Sequence, residues 1–389
     1  KLLLHSETVS EQYPTKNSLW GTKDGTLTPQ KKLCGVNMSV SYHSAIGIAA
    51  WTDLRRSLID RAVSDLRGVP RCKTVGTKTY WYDHYRLGNK TVDRYIGEDT
   101  SELRNRLNRQ TEIADAAKQA DLERARLMRV LRAEGYLFAD VGSGQVVSAM
   151  AKAGVFRLGG TIVGTHAFRC YEGELGVRIG FDQSATTDDI DIASFERLSL
   201  ALADTVEPPL QEVFSELHFD PLPTLESGKT WRWRQSNRQT LVEFLTPSFE
   251  EDEGIRDLPA LGFNAQSLHF LNYLIADPIR VPFLYRSGVL VQIPKPERFA
   301  VHKLIVADRR QGGPDALKAH KDRAQAAFLI EALSENRPYD LVEAYQLAIE
   351  SGSAANEDLS EFATNADHSQ IASVNSMSRT LAGSIPERR

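Results

Sequence analysis

Cysteine is scarce in this chain: Cys34, Cys72 and Cys170 are the only three among 389 residues. They have neither paired nor metal-ligand spacing, which fits a reducing cytoplasm. Long apolar runs are missing too; the longer ones are interrupted by His, Asn or Asp, and none approaches a membrane span. Lys1 precedes only three leucines before His5 and Ser6, which is not a secretory pattern. There is no Ser-His-Asp order, no Walker loop and no dinucleotide fingerprint. Gly159-Gly160 before Thr161 meets the spacing of neither glycine motif. No internal repeat is visible.

The remaining composition is ordinary, with 41% hydrophobic and 25% charged residues and a formal net charge of −4. At this length two or three domains are expected. The charge is unevenly spread. Between Arg55 and Arg94 ten basic residues face four Asp, whereas the chain from Glu350 onward carries six acids against three bases. Such asymmetry points to an anionic partner near the N-terminal half, or to a solvated face balanced elsewhere.

Periodicity divides the chain into five parts. Residues 1–44 are polar and weakly periodic and read as poorly ordered, with Met38 opening a more regular stretch. Residues 45–140 read as a helix–hairpin–long helix module. In it Ile48, Leu54, Leu58, Ile59 and Val63 recur at helical spacing, and Gly68 and Pro70 stop the helix. Aromatic and β-branched residues then flank Gly88-Asn89, a hairpin signature. Residues 101–134 follow as one long charged helix with Leu103, Leu107, Ile113, Leu127 and Leu131 as its apolar positions. Residues 141–296 form a mixed α/β core, with a buried strand over 157–166, a helix over 195–217, and strands at 231–234, 239–245, 268–275, 280–285 and 289–293. Residues 297–350 are helical, and 351–389 read as a polar tail.

The run Asp189-Ile190-Asp191-Ile192 carries the chemistry. Alternation along a strand sends both carboxylates to one face and both isoleucines to the other. Side-by-side acids repel, and burial penalises both, so a divalent cation with oxygen ligands is the expected compensation. Upstream, Gly164-Thr165 ends a buried strand at a helix start, where backbone N–H groups and a hydroxyl suit a phosphate. Downstream, Glu243 is the only acid in an apolar strand. It is the candidate third ligand, or the base for an attacking hydroxyl.

A strand ending in Gly-Thr, then Asp-x-Asp, then a lone acid resembles the nucleotidyltransferase superfamily. The closer likeness is to a bacterial nucleotidyltransferase-fold family and, more distantly, to abortive-infection type nucleotidyltransferase toxins. It is carried by the Tyr-Trp-Tyr hairpin ending in Tyr95-Ile96-Gly97, by Val163-Gly164-Thr165-His166-Ala167-Phe168, by Asp189-Ile190-Asp191, and by Pro296-Glu297-Arg298-Phe299-Ala300-Val301-His302-Lys303-Leu304. The likeness covers roughly residues 45–335. It implies an α/β (α+β) fold, a nucleotidyltransferase-like mixed sheet with flanking helices, preceded by the N-terminal module. It also implies a cytoplasmic enzyme moving a nucleoside monophosphate from an NTP to a hydroxyl acceptor, either RNA such as a tRNA 3′ end or a protein. Asp189, Asp191 and Glu243 would be catalytic and hold Mg2+ or Mn2+; Gly164, Thr165 and Lys303 would bind the nucleotide. The 23 residues between Thr165 and Asp189 exceed the superfamily's usual spacing.

Other readings compete. A vestigial core in a nucleic-acid-binding or regulatory protein, or the toxin half of a toxin–antitoxin pair, would carry the same residues. Glu243 as a structural acid would pair with Arg234 or Arg238. His166 suits a phosphate contact or a core role equally, and His84 reads as structural. Asp188 is an extra acid at the strand start. Arg309 and Arg310 are weaker phosphate candidates, and Lys321-Asp322 reads as a solvated helix face. The aromatic and basic hairpin, from Lys78 to Tyr95, would either stack bases of RNA or DNA or simply pack.

Overall fold

The computed structural model describes residues 20–23, 26–29, 40–64, 66, 68–87, 90–110, 112, 116–180, 189–195, 204–226, 228–249, 253–310 and 316–353. The chain divides into two units. One comprises residues 1–39 and 355–389; in it Trp20–Lys23 (β1) pairs antiparallel with Thr26–Pro29 (β2). The rest of the segment 1–39 and the tail beyond 353 lie outside the described residues, as do Gly88-Asn89 and Asp188. The other unit is Val40–Ala354.

This larger unit opens with Ala45–Ser64 (α1), which buries Ala50, Trp51, Leu54 and Leu58 along one stripe while Ile48 stays exposed. Val69–Val75 (β3), Lys78–Leu87 (β4) and Lys90–Glu98 (β5) form a three-stranded antiparallel sheet, one strand more than the hairpin expected. Its aromatic residues are packed. Tyr82 and Tyr85 are buried, and Tyr95 lies edge-on to Tyr80 and Tyr82. Where a single helix was expected over 101–134, the described residues give the helices Ser101–Asn108 (α2) and Ala117–Ala133 (α3). Their apolar positions have different packing partners. Leu103 and Leu107 pack under Ile96, Leu127 and Leu131 join the main core, and Leu122 between them is exposed.

The central sheet is built from Thr161–Val163 (β6), Asp189–Ala193 (β7), Phe219–Pro221 (β8), Arg232–Gln235 (β9), Leu241–Pro247 (β10), Ile255–Leu258 (β11) and Phe263–Leu268 (β12). Its order is β11-β12-β10-β7-β6, and β9 pairs with the first half of β10 and with β8. β10 runs parallel to β7 and β12, and the other pairs are antiparallel, so the sheet is mixed. Helix Val141–Ala153 (α4) precedes β6, Gly164–Leu175 (α5) follows it, and Leu210–Glu216 (α6) precedes β8. The expected helix over 195–217 is thus confined to this short piece among the described residues. After β12 the chain turns into Leu271–Ile275 (α7), where a strand was expected over 268–275. Ile279–Phe283 (β13) and Val289–Ile293 (β14) pair separately. Three helices finish the unit: Pro296–Arg309 (α8), Ala316–Asn336 (α9) and Pro338–Ser353 (α10).

The strand alternation separates core from site. Ile190, Ile192, Val242 and Phe244 are fully buried; Phe214 and Phe263 pack against Phe244, and Trp233 stacks on Phe263. Asp189, Asp191 and Glu243 take the opposite face. One hydrophobic cluster runs from Trp51, Leu54 and Leu131 through the sheet to Phe299 and Leu329. At the α1–α5 crossing a Cβ on Gly173 would lie 1.9 Å from Nε1 of Trp51, so only glycine admits that approach.

Candidate active site

The site is a row across four strands. In register, Val163 on β6 opposes Asp191 on β7, Asp191 opposes Glu243 on β10, and Glu243 opposes Arg232 on β9. One step along, Asp189, Leu241 and Arg234 form a second row. Directly opposed residues share a face, so two carboxylates of β7, one of β10 and two arginines of β9 face the same way. Asp189 lies exposed at the rim, and Asp191 and Glu243 are half-buried.

Gly164 is fitted to Asp191. It opens α5 directly after β6 with φ +65°, and a Cβ there would lie 2.2 Å from Asp191 Oδ2. Both the left-handed backbone and the missing side chain are needed. Thr165 follows, buried, at the first turn of the 12-residue helix. His166 is buried beside the Phe283 ring, which gives it the core position among its two readings.

Burial raises Asp191 above the usual carboxylate range; neighbouring Asp189 adds to this, and Lys303 opposes it. Burial also raises Glu243, with the charge of Asp191 second and Arg232 opposing. Contact between the two carboxyls pulls Asp191 down and pushes Glu243 further up. Adjacent buried acids resist ionising together, and a divalent cation beside them relieves this. Hard oxygen donors of this type suit Mg2+ or Mn2+, whose binding would favour the ionised carboxylates. The chemistry of the donor set fits such an ion at Asp191 and Glu243. Among the described residues no group of three or more His, Cys, Asp or Glu side chains is gathered closely enough to hold a metal; Asp189 shares the face of the other two at its exposed rim.

The cationic side is supplied by α8 and α9. Lys303 sits on the face of α8 that carries Phe299, and its side chain is only 12% exposed. Its ammonium donates to Oδ1 of Asp322 at 2.5 Å, and Arg310 donates to Oδ2 at 2.5 Å. Asp322 is therefore a buried anchor for two cations, not part of a solvated helix face. Lys321 beside it is lowered by burial first and by Lys303 second, while Asp322, Asp189 and Asp191 pull it up, which places it at the same site. Arg309 is exposed.

One expectation needs correction besides Asp322: the residue across from Glu243 is Arg232, not Arg234 or Arg238. The aromatic residues of the hairpin pack as one of their two readings has it, and His84, read as structural, is tied to Asp93 at 2.5 Å. Sequence reasoning passes over Arg232 as a candidate site residue and reads Lys321 and Asp322 as solvated. The alternating Trp231-Arg232-Trp233-Arg234 was the available signal for the first, since it sends both arginines to one face. A lysine and an aspartate one helix away from Lys303 were the signal for the others.

Residues 142–350, more than half of the chain, match a family model described as Nucleotidyltransferase. Residues 49–105 match a second model, described as a domain of unknown function. No curated protein and no solved structure matches. Among the described residues no helix is long and apolar enough to cross a membrane. The matched segment contains the whole row of carboxylates, the Gly-Thr turn and the lysine helix, and on that match this chain belongs to the nucleotidyltransferase family.

Proposed function

We propose that the chain transfers a nucleoside monophosphate from an NTP to a hydroxyl acceptor, with Asp189, Asp191, Glu243, Gly164, Thr165 and Lys303 as the working residues. The observation that carries this reading is the register pair Asp191–Glu243, closed on one side by Gly164 and flanked by the buried Lys303. In the reaction the acceptor oxygen forms a bond to the α-phosphorus. The bond between that phosphorus and the β-phosphate oxygen breaks, and pyrophosphate leaves.

Asp191 and Glu243, with Asp189 beside them, would hold Mg2+ or Mn2+, which when bound neutralises triphosphate charge and keeps the carboxyls ionised. Ionised Glu243 accepts the proton of the acceptor hydroxyl. The N–H groups at the start of α5 and the Thr165 hydroxyl hold phosphate oxygens. Lys303 offsets negative charge on the leaving pyrophosphate, and Asp322 aims it. Arg310 and Lys321 add positive charge on the same side.

The test is incubation of the purified chain with each α-phosphate-labelled NTP, Mg2+ or Mn2+, and total RNA or cell lysate. Label moves to a macromolecule with the wild type and not with Asp189→Ala/Asp191→Ala. No transfer to any acceptor together with no NTP binding would sink the reading.

A further inference from the structure

We propose that Arg232 and Arg234 bind consecutive phosphates at the 3′ end of a polynucleotide acceptor and seat its terminal hydroxyl against Glu243, an inference that rests on the transfer reading above. Both arginines stand on β9 on the site face of the sheet, Arg232 directly opposite Glu243 and Arg234 opposite Leu241 in the row of Asp189. Among the described residues neither side chain stands within hydrogen-bond or ion-pair distance of a protein partner, and the charge of Arg232 acts on Glu243 across the strand pair. Other arginines here are held: Arg55, Arg106, Arg157, Arg310 and Arg337 each bind a carboxylate. The Nε of Arg232 is buried with no partner, and its guanidinium lies over the Trp231 ring at 4.7 Å. A guanidinium held over an aromatic ring loses side-chain freedom and can still donate its N–H groups to a phosphate.

The chemistry around the pair selects the ligand. A face bearing Asp189, Asp191 and Glu243 repels an anionic acceptor unless cations flank it, and the two sides of the row are flanked differently. Lys303, Lys321 and Arg310 stand on the α8–α9 side, where they serve the triphosphate. Arg232 and Arg234 stand beyond Glu243, on the side from which an acceptor reaches the candidate base. Two residues apart on one strand face, they are spaced by ~6.6 Å, comparable with the separation of successive phosphates along a nucleic-acid strand. A single free phosphate or a sugar phosphate would occupy only one of them. Trp231, half-buried beside Arg232, adds an aromatic surface of the sort on which unpaired bases stack. With the strand so held, its terminal oxygen attacks the α-phosphorus, its proton passes to ionised Glu243, and pyrophosphate leaves on the Lys303 side.

The experiment uses the full chain and a fluorescein-labelled single-stranded RNA oligonucleotide, with the matching DNA as a second probe. Fluorescence anisotropy follows binding across a salt series for wild type, Arg234→Gln and Arg232→Gln/Arg234→Gln, and NTP binding is measured in parallel. Binding of one of the probes is expected to fall at least tenfold in the double variant, and NTP affinity is expected to stay unchanged in Arg234→Gln. The slope of log affinity against log salt should drop by about 0.7 for each phosphate that is no longer neutralised. Arg234 is exposed, so the single variant retains the fold and reports even if the double variant does not. The proposal is overturned if neither probe binds the wild type, or if affinity and slope are unchanged in both variants. Transfer of label to a polypeptide at a rate indifferent to both arginines would overturn it while leaving the transfer reading intact. Loss of NTP binding in the wild type would instead strike the transfer reading, and the oligonucleotide titration would still decide the arginines.

Discussion

Gly164 and Asp191 occupy space that only this pairing permits. An alanine at 164 would carry the strain of φ +65° and press its Cβ on Asp191 Oδ2. Gly164→Ala is expected to cost about 1–2 kcal/mol of stability from the backbone alone and to displace Asp191, so that activity falls further than stability does. Thermal denaturation beside a transfer assay separates the two effects. A second residue-scale consequence concerns Glu172, which burial pushes up to about 7, beside His43, which burial pulls down to about 4. The folded state holds a proton on Glu172 that the unfolded chain releases near its ordinary value. Its contribution is therefore complete below about pH 4.5 and is lost as pH rises through 7. His43 has the opposite sign: its contribution is present above about 6.5 and is lost as pH falls through 4. Glu172→Gln should flatten the decline of stability between pH 4.5 and 7, as read from urea midpoints. An unchanged decline would remove Glu172 as its source. What the sequence made legible at this scale followed from period-two alternation and glycine chemistry: Asp189, Asp191, Glu243 and Gly164 needed no partner to be read. Arg232 and Asp322 were not legible, because which residue opposes Glu243 depends on strand register, and Asp322 is buried only when α9 meets α8.

At the scale of elements, α8 and α9 act as one device. Asp322 on α9 holds both Lys303 and Arg310 on and beyond α8, and its own side chain is 4% exposed. Removing it leaves two cations without their anion in a largely buried place. Asp322→Ala is expected to destabilise the chain by about 3 kcal/mol, measured by chemical denaturation, and to raise the KM for NTP because Lys303 loses its aim. Lys303→Met should lower kcat/KM for NTP by roughly tenfold to a thousandfold, as losses of single charge-stabilising groups do, while the fold persists. A wild-type kcat/KM in that variant would exclude Lys303 from the nucleotide site. The helices here were readable from periodicity, and so were β9, β13 and β14. The change of packing partner between α2 and α3 was not, since the charged pattern runs on from one to the other. The strand expected over 268–275 became α7 for a similar reason: its apolar residues, Leu271, Leu274 and Ile275, are spaced for a helical face as well as for a buried strand.

Across the larger unit the hydrophobic cluster is continuous. Trp51 and Leu54 of α1 and Leu131 of α3 belong to the same cluster as Ile190 and Phe244 of the sheet. The segment matched to the nucleotidyltransferase family begins at residue 142 and leaves those partners out. A fragment of residues 140–354 should therefore be poorly folded alone, exposing the α5 face that Trp51 covers. Circular dichroism and size exclusion of the fragment against the full chain check this, and a cooperative melt of the fragment at the full-length temperature would contradict it. Fold class and the position of the carboxylate strand were legible in the sequence because they follow from local pattern. The fusion of the N-terminal module with the core was not, because it rests on long-range packing such as Trp51 on Gly173. The proposed nucleotidyl transfer by the row Asp191–Glu243 is measured most directly as pyrophosphate release from each NTP with Mg2+ or Mn2+ and total RNA, comparing wild type with Asp191→Asn. The expected result is metal-dependent release by the wild type in step with labelled acceptor, falling at least a hundredfold in Asp191→Asn. Release at the wild-type rate in Asp191→Asn would contradict it.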